Sequence, residues 1–381
     1  MFKVTSSDGA ARSGELITRR GTVATPFFMP VITRSTGDRV IGPPEYHRLG
    51  VSAAECDAAA GGVAICNSLI AAFTPGAAAI VAERDVAGWL GTQSVLFTDS
   101  GGYQTSQGSS FVVSRTTTGY LFRTRWSGAS LELTPESSVD LQQRLGADVA
   151  MVLDDVAPYG SDRDTVLDCL DRTHAWAERA LHRRSDSAQL LFGICQGGID
   201  LVLRERSASA IDSLGFDGTA IGGVAIIPTF AERQAAVEAA MSVLSAARPR
   251  YVMGIGDPDQ IVRMVGLGVD CFDAAYPSIQ ARLGFVLSDR GKVPWRDWNP
   301  QWDETEACTC PTCSRTSMGA LAHAPGATDD AIAPAIALHN CCYLARLMHR
   351  LREAIAGGRY RAFAEEFHSR WRDGKRLAVG G

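Results

Sequence analysis

Eight short apolar, β-branched runs, amphipathic helical patterns between most of them, and polar residues gathered at the C-terminal ends of the runs predict an α/β fold, a (β/α)8 TIM barrel. In order, the runs are PFFMPVIT (26–33), GGVAICN (61–67), SVLFTDS (94–100), DVAMVLDD (148–155), QLLFGICQ (189–196), GTAIGGVA (218–225), RYVMGIGD (250–257) and VDCFDAAYP (269–277). Their length and apolar continuity suit strands buried on both faces. Among the segments between them, TPESSVDLQQRLG opens on a Thr-x-x-Ser cap-like signal and stops at Gly146, and RDTVLDCLDRTHAWAERALHRR carries a long amphipathic pattern. A doubly wound sheet is the alternative, but neither a dinucleotide fingerprint nor a P-loop follows the first run. GIGDPD lacks the full G-x-G-x-x-G pattern and reads as a strand-to-helix turn.

Outside the barrel, the first 25 residues read as a hairpin plugging one end, and FVLSDRGKVPWRDW reads as a second hairpin after the eighth strand. A cysteine cluster, a Gly/Ala/Pro-rich loop around 323–330 and a helical C-terminus follow. There Tyr360, Phe363, Phe367 and Trp371 recur at helical spacing and read as a core stripe. The expected division is a catalytic barrel over 1–285 and, over 286–381, a hairpin with a zinc-binding helical subdomain packed on it.

With 381 residues, 46% of them hydrophobic and 21% charged, the chain can bury a large core. Its net charge of -5 argues against a generally basic, non-specific nucleic-acid binder and leaves a local basic patch open. The sequence reads as having no uncharged stretch of membrane length and no apolar signal core at its start, so a cytoplasmic protein without a membrane partner is expected. Of ten cysteines only Cys308, Cys310 and Cys313 cluster tightly, which in a reducing compartment points to metal binding. Three thiolates need a fourth ligand to close a tetrahedral zinc site, and His323, His339, His349 and the Cys341/Cys342 pair lie within range. His339 is preferred, because the helical pattern AIALHNCCYLARLMHR presents it from a rigid element.

The chemistry is expected at the barrel mouth, where the strand ends bring together Asn67, Asp99 with Ser100, Asp154 with Asp155, Gln196, Gly222 with Gly223, and Asp273. One Asp at a strand end can simply cap the next helix, but three such carboxylates are costly to bury and argue for a site. Asp270 and Asp273 stand three apart on one strand and so face opposite sides; Asp273, nearer the C-terminal end, is the candidate for the mouth. Carboxylates, a glutamine and a diglycine suit glycosyl transfer, with one carboxylate attacking the anomeric carbon and another moving protons. They also suit the edge of a guanine-like base, whose adjacent N–H groups need a carboxylate and whose carbonyl needs donors.

The segments TPFFMPV, FTDSGGYQ, LTPESSVDLQQRLGADVAMVLDD, LFGICQGG, AIGGVA, YVMGIGDPDQIVRMVGLGVDCFD, CTCPTC and LHNCCYLARLM, in this order and spacing, resemble the tRNA-guanine transglycosylases of bacterial type over nearly the whole chain. The resemblance implies a pentosyltransferase that replaces guanine with a 7-deazaguanine base through a covalent glycosyl-aspartate intermediate, with tRNA as acceptor, one structural zinc ion and a homodimer. By motif position it implies Asp273 as nucleophile, Asp99 as general acid/base, Tyr103 stacking on the base, and Asp154, Gln196 and Gly223 at the base edge, with Gly222 beside them as a substrate-binding candidate. Asn67 and Arg282 are further substrate-binding candidates, and Cys308, Cys310, Cys313 and His339 fall at the zinc ligands.

Several positions depart from that pattern. The family's F-D-C-V-L-P-T-R becomes F-D-A-A-Y-P-S-I, putting Ile279 where an arginine stands; G-G-L-A-V-G-E becomes G-G-V-A-I-I-P, putting Pro228 where a carboxylate stands. Two alternative readings follow: the same exchange on DNA or a small nucleoside or nucleotide carrying a nitrile-bearing base, and a non-catalytic tRNA-binding partner subunit.

Overall fold

The structure, a computed structural model, describes residues 1–33, 46–73, 77–102, 111–124, 128–302 and 308–377. Three antiparallel strands come first, β1 (Phe2–Asp8), β2 (Ala11–Ile17) and β3 (Thr22–Thr25), so the expected N-terminal hairpin gains a third strand. The barrel begins with β4 (Phe27–Pro30), followed by helix α1 (Ala53–Ala60) and β5 (Val63–Asn67). Helices α2 (Ser68–Phe73), α3 (Ala77–Glu83) and α4 (Val86–Leu90) lead to β6 (Val95–Asp99). An antiparallel sheet of β7 (Phe111–Arg115), β8 (Tyr120–Thr124) and β9 (Ser130–Leu133) is inserted before α5 (Pro135–Leu145) and β10 (Val149–Met151). Regular alternation then runs through α6 (Arg163–Arg183), β11 (Leu190–Cys195), α7 (Leu201–Ser213), β12 (Gly218–Ile221), α8 (Phe230–Met241), β13 (Arg250–Val252), α9 (Pro258–Val265) and β14 (Cys271–Ala274). The last barrel helix, α10 (Tyr276–Arg282), is followed by the hairpin β15 (Phe285–Ser288) and β16 (Gly291–Pro294), then α11 (Met318–Ala322), α12 (Asp329–Ala356) and α13 (Tyr360–Leu377).

All eight predicted barrel strands form, and they pair in parallel in the order β4-β14-β13-β12-β11-β10-β6-β5. A parallel bridge between Val31 and Ile65 joins the two ends of that order into a ring. Phe97 sits at its centre, edge-on to Phe27 at 5.9 Å, Phe192 at 5.8 Å and Tyr251 at 6.3 Å. Bulky inward side chains therefore fill the barrel below the mouth, as a TIM barrel requires.

Capping residues place the helices as read. Thr134 accepts the Ser137 N–H at 3.2 Å while Ser137 Oγ accepts the Thr134 N–H at 2.8 Å, a reciprocal cap, and Gly146 ends α5. Asp257 caps α9, so GIGDPD is the expected turn. The β7–β9 insertion was not anticipated; it is tied to the barrel through Asp155, buried, which accepts from Arg115 at 2.8 Å and from the Tyr120 hydroxyl.

At the N-terminal end of the barrel, β2 supplies Arg12, whose guanidinium grips Asp270 through Nε at 3.0 Å and Nη2 at 2.6 Å. Arg19 and Arg20 contact Asp148 at 3.2 and 2.9 Å. Asp270 is thus a structural carboxylate on the face opposite Asp273. Helix α12 is, by length and composition alone, apolar enough to cross a membrane, but 72% of that apolar window is buried in the protein. It packs on α1, α10, β1, β2, β4 and β15, the role of a core helix. Phe367 and Trp371 of α13 stack on each other at 5.6 Å and, with Tyr360, are buried.

Candidate active site and metal centre

The C-terminal strand ends surround a cavity of about 330 Å3 whose wall includes Asn67, Asp99, Asp154, Gly222, Gly223 and Asp273. Asp99, at the end of β6, is held on both oxygens: Asn67 Nδ2 donates to Oδ2 at 2.7 Å and the Ser68 N–H to Oδ1 at 3.2 Å. Burial pushes its pKa up to about 7 against those hydrogen bonds, and the nearby charge of Asp273 adds to the rise. Asn67 is spent on this task, its Oδ1 accepting the Ile70 N–H at 2.8 Å.

Asp273, in β14, accepts from the Tyr251 hydroxyl at 2.6 Å and the Gly254 N–H at 2.8 Å, both on Oδ1. Its other oxygen makes no hydrogen bond among the described residues, so one oxygen is anchored and the other is left for chemistry. Burial raises its pKa, and the two donors oppose the rise. Neither Tyr251 nor Gly254 was singled out in the sequence. The available signal was strand adjacency, since Val252 pairs with Phe272 and the neighbouring inward positions must meet.

Asp154 follows β10 and receives Gln196 Nε2 on Oδ2 at 2.6 Å. Burial pushes its pKa up to about 6, the Gln196 hydrogen bond opposes this, and Asp155 adds to it. Gln196 itself lies in the wall of an adjoining cavity of about 250 Å3 that shares Gly223 and Ile226 with the first. The diglycine is required by contact: a Cβ on Gly222 would stand 2.4 Å from Gln196 Nε2, and Gly223, at φ +70°, would put one 2.5 Å from Gln196 Oε1. Two carboxylates near neutrality, an anchored third and a glycine backbone thus share one mouth.

A family model described as queuine tRNA-ribosyltransferase matches residues 7–373. The chain belongs to this family. It is 35% identical over 372 residues to a queuine tRNA-ribosyltransferase of Thioalkalivibrio sulfidiphilus, covering 97% of each chain. It is 36% identical over 375 residues to one from Thermus thermophilus, covering 97% of this chain and 94% of the relative, and 34% identical over 374 residues to one from Deinococcus radiodurans, covering 97% and 92%. As a member of the queuine tRNA-ribosyltransferase family, the chain is a pentosyltransferase.

Within this family member, the remaining predicted positions separate. Tyr103 lies outside the described residues. Arg282 is exposed on the last turn of α10 and is not among the cavity-lining residues, whereas Ile279 is. Pro228 is exposed beyond the diglycine loop.

The second cluster sits beside the β15–β16 hairpin. One ligand atom from each of Cys308, Cys310, Cys313 and His339 lies within 4.8 Å of the other three, a group able to hold a metal ion. Tetrahedral coordination by sulfur and nitrogen separates ligand atoms by roughly 3.5–4 Å, so the residues present fit one ion. His339 Nδ1 stands 3.3 Å from Cys313 Sγ while its Nε2 lies 3.0 Å from the Leu287 carbonyl, a hydrogen bond that aims the ring at the cluster. The other histidines considered are elsewhere: His323 Nδ1 contacts the Gly319 carbonyl at 2.9 Å, and His349 is exposed beside Glu353.

Proposed function

We propose that the chain exchanges guanine in tRNA, at the anticodon, for a 7-deazaguanine base through a covalent glycosyl-aspartate intermediate. The observation that carries this reading is the pairing of Asp273, anchored on one oxygen with the other available, with Asp99 near neutrality in the same cavity. Asp273 Oδ2 forms a bond to the anomeric carbon while the bond from that carbon to the ring nitrogen of guanine breaks, and Asp99 gives a proton to the departing base. The incoming base returns a proton to Asp99 and attacks the same carbon, releasing Asp273. Two displacements retain configuration. Asp154 accepts from the adjacent N–H groups of either base, and Gln196 with the Gly223 N–H serves its carbonyl. A target base in folded tRNA enters by flipping out of its stack.

The Cys308, Cys310, Cys313 and His339 group holds one structural zinc, with all four positions taken by protein. The subdomain over 286–381, packed on the barrel, carries it. Homodimer assembly and a cytoplasmic location follow the family resemblance. Pro228 in place of a carboxylate favours an incoming base with a neutral 7-substituent such as a nitrile, because an unpaired ammonium in the pocket is costly.

A second reading, the same exchange on DNA or a small nucleoside or nucleotide, is favoured by Ile279 in the cavity wall, where an arginine would face a phosphate. One experiment separates the two: labelled guanine or 7-cyano-7-deazaguanine offered with tRNA, DNA, guanosine and GMP separately. Incorporation into tRNA supports the first reading. Turnover confined to DNA or to small donors replaces it with the second, and no turnover with any acceptor removes both in favour of a non-catalytic subunit.

A further inference from the structure

We infer that Arg204 is a positioning residue for base exchange, polarising the Gly222–Gly223 peptide so that the Gly223 N–H stabilises negative charge on the base as its glycosidic bond breaks. This rests on the proposed reading of the mouth and assigns a role to a residue of helix α7 outside the cavity that holds the two catalytic carboxylates. Arg204 is fully buried, yet among the described residues no carboxylate pairs with it. Its Nε donates to the Gly198 carbonyl at 2.8 Å and its Nη1 to the Gly222 carbonyl at 2.7 Å, while Nη2 has no hydrogen-bond partner. Burial pushes its pKa down to about 10, so the side chain is still a cation at neutral pH. A buried, uncompensated charge is costly, and tying two loop carbonyls together needs only neutral donors. The charge itself therefore calls for a use.

Peptide geometry supplies one. The carbonyl of Gly222 and the N–H of Gly223 belong to one planar trans peptide and point in opposite directions. With Arg204 at the carbonyl end, the N–H end points away from the guanidinium, and Gly223 lines the cavity that holds Asp99 and Asp273. That N–H makes no hydrogen bond among the described residues. A charge-assisted hydrogen bond at the oxygen draws electrons from the nitrogen and strengthens the N–H as a donor. When the carbon–nitrogen bond breaks, its electron pair passes into the purine ring and onto the base carbonyl, where this donor meets it. Donors fixed in advance where charge develops are the effective ones. The same polarisation assists the incoming base, which must give up a ring proton to Asp99 before it attacks.

The test compares wild type, Arg204→Gln, which keeps donors but no charge, and Arg204→Lys, which keeps the charge. The single-turnover rate, kcat and KM for tRNA are measured with guanine and with 7-cyano-7-deazaguanine, alongside thermal melting. Arg204→Gln is expected to lower the rate roughly 10- to 100-fold while KM for tRNA moves less than about two-fold. The loss is expected to be larger for guanine than for the nitrile-bearing base, whose electron-withdrawing group already stabilises the ring anion, and Arg204→Lys recovers most of the rate. Wild-type rates in Arg204→Gln, or equal losses with both bases tracking a fall in melting temperature, overturn the inference. If Arg204→Gln does not fold, a folded Arg204→Lys with a collapsed rate overturns it equally. Absence of exchange by the wild-type protein overturns the underlying reading and takes the inference with it.

Discussion

Asp99 and Asp273 are both buried carboxylates, but their partners hold them differently, Asp99 on both oxygens and Asp273 on one. Asp99 is hydrogen-bonded on both oxygens and has its pKa pushed up to about 7, so it exchanges protons easily near neutral pH. The pH profile of kcat/KM is expected to bend near 7, and the bend should vanish in Asp99→Asn along with most activity; its survival in that variant would assign the titration elsewhere. The sign for stability runs the other way from a salt-bridged aspartate. A carboxyl whose folded pKa is raised binds its proton more tightly when folded, so its contribution is favourable below about pH 4 and is lost as pH rises toward 7. Asp99→Asn should accordingly be more stable than wild type by about 1–2 kcal/mol at pH 8, with the difference shrinking toward pH 4, measured by urea unfolding at both pH values. Asp273→Asn is expected to abolish the covalent adduct trapped with tRNA while the fold persists, and adduct formation by that variant would remove the nucleophile assignment. The strand-end Asp residues were legible in the sequence because they close apolar runs at their C-terminal ends, and odd spacing on one strand separated Asp273 from Asp270. Tyr251 was not singled out: strand adjacency made its strand the neighbour of the one carrying Asp273, but that its hydroxyl reaches the carboxylate depends on the register of the pair.

At the scale of elements, the barrel strands and capped helices were readable, and the β7–β9 insertion was not. Barrel strands are buried on both faces and show as continuous apolar runs; the inserted strands FVVSR, YLFRT and SLEL hold at most three apolar residues in a row before a polar one, so they do not stand out as buried strands. Helix α5 shows how much a single boundary residue can fix. Gly146 ends it at φ +77°, and a Cβ there would stand 1.9 Å from the Arg84 carbonyl oxygen. Gly146→Ala therefore meets both an unfavourable backbone conformation and a backbone clash, and should destabilise by about 2–4 kcal/mol in chemical denaturation. A loss below roughly 0.5 kcal/mol would mean that the contact between the α3–α4 turn at Arg84 and the end of α5 relaxes freely. The metal cluster was visible as C-x-C-x-x-C, while the choice of His339 rested on helix rigidity; the Leu287 carbonyl that aims its ring could only be seen in the fold. Metal analysis of fresh protein is expected to give about one equivalent of zinc, and Cys310→Ser or prolonged chelation to lower the melting temperature. Zinc-free protein with unchanged melting would count against a structural ion.

Over the whole molecule, the two ends of the barrel divide the work, and the fifteen residues from 268 to 282 touch both. Asp273 looks into the mouth, whereas Asp270, three residues earlier, is sealed at the opposite end against Arg12 from β2, with side chains 5% and 0% exposed. Asp270 also accepts the Arg250 N–H at 2.8 Å, and Arg12 reaches the carbonyls of Ala246 and Arg248 at 2.5 and 2.8 Å. This bidentate pair joins the N-terminal sheet, the start of β13 and the start of β14. Removing one partner strands the other as a buried charge, so Arg12→Met should cost about 3–5 kcal/mol of stability. Replacing both, as Arg12→Met with Asp270→Leu, should recover a good part of that loss, because an apolar pair of similar volume avoids the desolvation of two ions. Neither variant touches the mouth, so kcat and the pH profile of the folded fraction should match wild type at low temperature. A double-mutant cycle with activity measured on the same samples checks both halves. If Arg12→Met lowers kcat of fully folded protein, the barrel transmits changes from its base to Asp273 along β14, and stability and catalysis are not separable by end.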